Sequence, residues 1–195
     1  VLIDQSGHIV SEGRSEYATT HLQIGWVEQD PLDWWKSFCQ SVKLALEAAP
    51  GSSISAIAIS SQAPTLIAVD ASGNPLRNAM IWMDRRAEGE AQEIAKKFSN
   101  ISELTGNRAD PYYVAAKIKW YVKNEPNNYQ KTKYFLQIPG YLNFKLTGKF
   151  SIDSAHASLL QLRSADNSGW VDEIMKFVGV SEDKFPQIGK ATELL

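Results

Sequence analysis

The sequence predicts an α/β fold in which one mixed β-sheet is flanked by helices. Residues 54–60 form a short run of isoleucine and alanine, which is typical of a buried strand. Turn-forming residues at 4–7 and 70–74 each lie between short apolar segments, which indicates two hairpins. Strands that follow one another so quickly favour a single mixed sheet over regular alternation of strand and helix.

The first part of the chain is predicted to hold a hairpin and a long helix. Residues 1–3 and 8–10 are the expected hairpin strands. Asp30 can accept a hydrogen bond at a helix N-terminus, and Pro31 fits the first helical turn. From there apolar residues recur at helical spacing up to position 46, so we expect one broad face to pack on the sheet.

The later elements follow from the same patterns, with Gly, Pro and Asn marking their ends. Strands are predicted at residues 65–69, 79–82 and 133–137. Helices are predicted at residues 87–98, 101–104, 114–124, 139–146 and 170–178.

Composition places the chain among ordinary globular proteins. Its 195 residues suffice for one domain with a real core, and 44% are hydrophobic against 22% charged. The net charge of −2 predicts no general attraction to nucleic acid or to an anionic membrane. No apolar run is long enough for a membrane span. A single cysteine, Cys39, excludes a disulfide framework and fits a reducing, cytoplasmic compartment.

The segment AMIWMDRR, residues 79–86, combines a large flat apolar side chain with paired charges. Sugars are bound by this combination, because their C–H faces pack on an indole such as Trp82. Their hydroxyls bond to a carboxylate such as Asp84, which a guanidinium such as Arg86 can hold in place. One alternative is a strand that ends at a buried Trp, with a surface Asp–Arg pair at the start of the next helix. For Asp84 and Arg86 the alternative is a structural ion pair that fixes the loop.

Four segments in this order resemble the N-terminal domain of the FGGY carbohydrate kinases, which include xylulokinase, ribulokinase and glycerol kinase. They are GWVEQDPLDWW (25–35), IAISSQ (57–62), AMIWMDRR (79–86) and DPYYVAAKIKW (110–120). The resemblance implies a ribonuclease H-like, actin-like ATPase fold. It also implies transfer of phosphate from Mg-ATP to a hydroxyl of a sugar or polyol, in a cleft between two such domains.

The resemblance implies that the strand ending in Gln62 is followed by residues that line the sugar pocket. Xylulokinases carry Met-His at the next two positions and glycerol kinases Arg-Glu, whereas this chain has Ala63 and Pro64, which offer no polar side chain. Tyr112 matches a pocket tyrosine of glycerol kinases. The predicted substrate-binding residues, seven in all, are Gln62, Ala63, Pro64, Trp82, Asp84, Arg86 and Tyr112.

Three parts of the family pattern have no counterpart in residues 1–195. They are the first strand with its Gly-x-Asp-x-Gly-Thr phosphate loop, the Gly-Asp motif of the catalytic base, and the ATP-binding domain. The chain also begins without Met, so we expect a partial N-terminal domain of a longer protein, with the catalytic Asp beyond Leu195. We expect ATP and Mg²⁺ to serve the parent enzyme, no catalytic, cofactor or metal residue here, and no activity from this chain alone.

The acceptor predicted for the parent enzyme is a ketose or polyol, and a xylulose-like pentulose is the first choice. GWVEQDP (25–31) resembles the xylulokinase form, whereas DPYY (110–113) resembles glycerol kinase, so a glycerol kinase-like polyol kinase stays open. A non-catalytic sugar-binding or regulatory pseudokinase of the same fold is the other alternative. We expect small molecules as partners, with a homodimer possible and no nucleic acid or membrane.

Overall fold

The computed structural model describes all 195 residues as short strands and helices. The strands are β1 (Leu2–Ile3), β2 (Ile9–Ser11), β3 (Thr20–Gln23), β4 (Trp26–Gln29), β5 (Ile67–Val69), β6 (Ala79–Met80), β7 (Tyr134–Leu136), β8 (Ile152–Asp153) and β9 (Ile188–Gly189). The α-helices are α1 (Pro31–Ala48), α2 (Glu88–Lys97), α3 (Ile101–Thr105), α4 (Val114–Asn124), α5 (Pro126–Lys131), α6 (Ile138–Thr147), α7 (Ser154–Ser158) and α8 (Asp172–Val178). A 3₁₀ turn lies at Glu182–Lys184.

The strands are arranged in four small sheets rather than in the single sheet predicted. Their orders are β1–β2, β3–β4–β6, β5–β7 and β8–β9. Pairing is antiparallel except between β8 and β9, which are parallel, so the prediction of mixed pairing is confirmed. An isolated bridge between Leu66 and Met80 brings the second and third sheets together.

Residues 54–60 form no strand, which corrects the prediction of a buried one. Ile54 is 45% exposed and Ile57 is 54% exposed. No backbone N–H or C=O group in this segment is hydrogen-bonded to another strand. Apolar composition is not sufficient for a strand, because a strand persists only when a neighbour completes its ladder. Without that ladder the predicted single sheet divides into smaller ones.

The long helix α1 begins as the sequence predicts. The Asp30 side chain accepts a hydrogen bond from the backbone N–H of Leu32 at 2.9 Å, and Pro31 occupies the first turn. Trp34 is buried on the inner face of the helix, where it packs with Val27, Ile81 and Tyr141 in the smaller of two apolar cores. This packing fixes the start of α1 against β4, beside the candidate site.

The larger core lies among the helices of the second half of the chain. Helix α4 contributes Val114, Ile118 and Tyr121, all fully buried, and packs on α2 and α8. Its observed bounds coincide with the predicted 114–124. None of the helices is both long enough and apolar enough to cross a bilayer.

Candidate functional site

Three predicted segments, 62–64, 82–86 and 110–113, meet at one end of the small sheets. Leu66 pairs with Met80 in an isolated antiparallel bridge, which places the chain after Pro64 beside the strand that precedes Trp82. The Ala63–Pro64 peptide is cis. Segments that are far apart in the sequence therefore converge where the resemblance places the sugar pocket.

Tyr112 joins two of these segments directly. Its hydroxyl donates a hydrogen bond to the carbonyl oxygen of Ala63 at 2.9 Å. Its backbone N–H donates to Asp110 Oδ1 at 2.8 Å, and Arg85 Nη1 donates to the same oxygen at 2.9 Å. Burial raises the pKa of the Tyr112 hydroxyl, so it stays protonated and can keep donating at neutral pH.

Trp82 presents its indole at the surface. It is 42% exposed, although the neighbouring Ile81 is fully buried. The alternative of a strand that ends at a buried Trp is therefore wrong. A large, partly exposed aromatic side chain at the end of a buried strand is well placed to pack on an apolar ligand face.

Asp84 and Arg86 lie behind this surface instead of on it. Their side chains are 0% and 1% exposed. The Asp84 carboxylate accepts hydrogen bonds from Arg86 Nη2 at 2.7 Å and from the backbone N–H of Val27 at 2.7 Å. It also accepts from Arg86 Nε and from the Arg86 backbone N–H. These donors occupy the lone pairs of the carboxylate, so the pair fixes the loop, as the sequence alternative stated.

The Arg86 guanidinium is the centre of a larger buried network. It stacks 4.0 Å from the ring centroid of Trp26 and forms an ion pair with Glu28 Oε1 at 2.6 Å. Glu28 also pairs with Arg77, and Arg77 pairs with Glu125. Each buried charge therefore has an opposite partner, which is the condition for keeping charges out of water.

Lys117 holds the tyrosine segment, residues 110–113, through hydrogen bonds to two of its backbone carbonyl groups. Its side chain is fully buried on α4, and its Nζ donates to the carbonyl oxygens of Pro111 at 2.6 Å and Tyr112 at 2.9 Å. Burial lowers the pKa of the Lys117 amine from 10.5 to about 7, and the charge of Asp84 partly offsets this effect.

Gln62 is held by a neighbour that the sequence analysis did not single out. Its Nε2 donates to Gln29 Oε1 at 2.5 Å, and the same oxygen accepts from Trp34 Nε1 at 3.0 Å. Gln29 Nε2 in turn donates to Thr19 Oγ1 at 2.8 Å. Gln62 is half-buried, so one side of its amide is tied to the protein and the other remains accessible.

No three His, Cys, Asp or Glu side chains come together in a way that could hold a metal ion. What the arrangement does offer is one aromatic face whose loop is held by a buried ionic network, one amide held by Gln29, and a tyrosine segment held by Lys117.

Along residues 1–195 the sequence matches the N-terminal domain of the FGGY family of carbohydrate kinases. This chain belongs to that family. Glycerol kinase from Bdellovibrio bacteriovorus is 37% identical over 198 residues, covering 96% of this chain and 40% of that protein. Glycerol kinase from Thermococcus onnurineus is 31% identical, covering 100% of this chain and 41% of that protein. The chain thus spans about two fifths of the length of these FGGY relatives.

Solved FGGY structures give the same fold. A xylulose kinase from Brucella ovis superposes with a TM-score of 0.90 at 27% identity, covering 96% of this chain and 39% of that one. Plasmodium falciparum glycerol kinase with ADP superposes with a TM-score of 0.86 at 27% identity, covering 95% and 39%. The predicted actin-like α/β fold of an FGGY N-terminal domain is confirmed.

The FGGY-like segments contain the bracing residues Glu28, Gln29 and Lys117, but the sequence prediction gave them no role in the site. Lys117 stands alone among buried apolar neighbours on α4, which is a signal that its amine needs internal acceptors. Glu28 and Gln29 are two polar residues that end a buried strand. The sequence does not indicate their more distant partners, because Gln62, Arg77 and Arg86 lie 33 to 58 residues away.

Stability should depend on pH through Lys117. Between pH 7 and 10.5 the unfolded chain holds a proton on this amine that the folded protein has released. The free energy of unfolding should therefore rise with pH, by up to about 1.4 kcal/mol per pH unit, relative to Lys117→Met. Thermal melting of both full-length proteins from pH 7 to 9 measures the difference, with exposed Lys96→Met as the control for a lost charge. A flat difference would mean that the two carbonyls keep the ammonium charged.

Proposed function

We propose that the full-length protein is an ATP-dependent carbohydrate kinase that phosphorylates a hydroxyl of a ketose or polyol. The observation that supports the proposal is that segments 62–64, 82–86 and 110–113 meet, through the Tyr112–Ala63 and Arg85–Asp110 hydrogen bonds. Membership of the FGGY family supports the reaction class. A cytoplasmic location and a homodimer stay predictions.

For this chain we propose the role of the acceptor-binding wall. ATP in the full-length protein would supply the phosphoryl group. Trp82 would pack on the C–H face of the acceptor, and Gln62 would bond to one of its hydroxyls. Ala63 and Pro64 would shape the wall without polar contacts. Asp84 and Arg86 would keep the loop that carries Trp82 in place from behind, since both are almost fully buried.

A xylulose-like pentulose is the finer proposal for the acceptor, and glycerol is the second candidate. The segment 25–31 supports the pentulose, as does the close superposition on a xylulose kinase. The tyrosine segment 110–113 supports glycerol, as do relatives that are glycerol kinases. An apolar Ala63–Pro64 pair next to an indole offers more to a longer carbon chain than to three carbons, which is why the pentulose comes first.

The test is a coupled assay of ADP release by the full-length protein with D-xylulose, D-ribulose, glycerol and erythritol. We expect the highest kcat/KM with D-xylulose. A preference for glycerol would move the assignment to the second candidate and leave the reaction class intact. Calorimetric binding of these acceptors without any phosphorylation would instead identify the non-catalytic pseudokinase. Neither turnover nor binding would overturn the proposed function.

A further inference from the structure

The amide of Gln62 is oriented by a chain of hydrogen bonds that begins at an indole. The Trp34 N–H can only donate, so the Gln29 atom that faces it at 3.0 Å must be the carbonyl oxygen. That oxygen also faces Gln62 at 2.5 Å, so the Gln62 atom on this side must be its NH₂ group. The usual ambiguity of amide orientation is thereby removed for both glutamines.

The other end of Gln29 is fixed as well. Its NH₂ group donates to Thr19 Oγ1 at 2.8 Å, and Gln29 is only 6% exposed. Trp34 is 4% exposed, so neither side chain can reach a ligand. With its NH₂ group tied to Gln29, Gln62 has its carbonyl oxygen left over, and this oxygen accepts no hydrogen bond from the chain.

We propose that Gln29 and Trp34 are positioning residues that make Gln62 present a hydrogen-bond acceptor to the substrate, so this subsite selects a hydroxyl that donates. The inference rests on the proposed function, because it defines the chemistry of one wall of that pocket. A sugar or polyol in which this hydroxyl is replaced by hydrogen or by a methyl ether would leave the carbonyl oxygen of Gln62 without a hydrogen bond. A free amide could rotate and accommodate other groups, whereas this one is held.

The test compares Gln29→Met with Gln29→Glu in the full-length protein, using D-xylulose and glycerol. Methionine fills similar space but releases Gln62, so the acceptor KM should rise roughly tenfold, the effect of losing one oriented hydrogen bond. Glutamate keeps an oxygen for Trp34 and Gln62, so the KM should stay within about threefold of wild type. The KM for ATP should not change in either variant.

Two further variants separate positioning from general stability. Trp34→Phe removes the N–H donor that orients Gln29. Like Gln29→Met, it should raise the KM for the sugar or polyol. Trp35→Phe makes the same change one position along α1, where the indole stacks on Phe38 instead, and should not. The double variant Gln29→Met with Gln62→Met should be no worse than Gln62→Met alone, because Gln29 acts only through Gln62.

Two results would overturn the inference while leaving the kinase assignment standing. One is a Gln29→Met protein that melts earlier but keeps the wild-type acceptor KM. The other is a double variant whose losses multiply, which would show that Gln29 acts independently of Gln62. A wild-type protein that neither binds nor phosphorylates D-xylulose or glycerol would overturn the proposed function and this inference together.

Discussion

Replacing Arg86 by methionine should destabilise the fold by about 3–5 kcal/mol, the cost of leaving buried carboxylates without their cation. Asp84 and Glu28 both bond to this guanidinium and are 0% and 5% exposed. Methionine retains the apolar stem of Arg86 but removes the guanidinium that stacks on Trp26, so the loss reports the charge, its hydrogen bonds and this stacking. Urea unfolding followed by tryptophan fluorescence measures it, because Trp26 packs on the network.

The adjacent arginine gives the matched control. Arg85 is 47% exposed and pairs with Glu88 and Asp110 at the surface, where such pairs contribute at most about 1 kcal/mol. Arg85→Met should therefore shift the unfolding midpoint only slightly. Equal midpoints for the Arg85 and Arg86 variants would mean that the buried network does not hold the loop, and the bracing role of Asp84 and Arg86 would have to be given up.

Trp82→Ala in the full-length protein should weaken use of the sugar far more than use of ATP. The indole would cover the apolar face of the sugar, a contact worth roughly 1–3 kcal/mol, or about 5- to 150-fold in the acceptor KM. Because the side chain is already 42% exposed, its removal should cost little stability. Steady-state kinetics with each substrate varied separately, and Trp82→Phe as the conservative variant, measure the effect.

Two results with Trp82→Ala would contradict a role of Trp82 in binding the sugar. A Trp82→Ala protein with a lower melting temperature and an unchanged acceptor KM would make Trp82 a core residue. An equal rise in the KM for ATP would remove Trp82 from a sugar-specific wall.

Local signals predicted six of the eight α-helices, missing α5 and α7, and predicted the sheet poorly. The cap at Asp30 and the bounds of α4 could be read from the sequence, since caps and helical periodicity depend on residues within a few positions. Residues 54–60 have the composition of a strand but no partner, and pairing is a property of two segments rather than one.

The contrast between local signals and contacts of distant segments also applies to the site. The Asp84–Arg86 pair spans two residues and could be proposed from its spacing. The Gln29–Gln62 contact spans 33 residues and the Gln29–Trp34 contact 5, on different elements, so only the folded chain brings them together. Residue type alone could not orient the Gln62 amide.

The buried ionic network also determines when the loop that carries Trp82 is fully held. Its Arg77–Glu28 and Arg77–Glu125 pairs close loops of 49 and 48 residues. Loops of that length must lose their conformational freedom before either pair forms, so the network cannot serve as an early nucleus of folding. Full support of the loop that carries Trp82 therefore needs the chain up to Glu125, so the proposed acceptor wall would form late in folding rather than as a preformed unit.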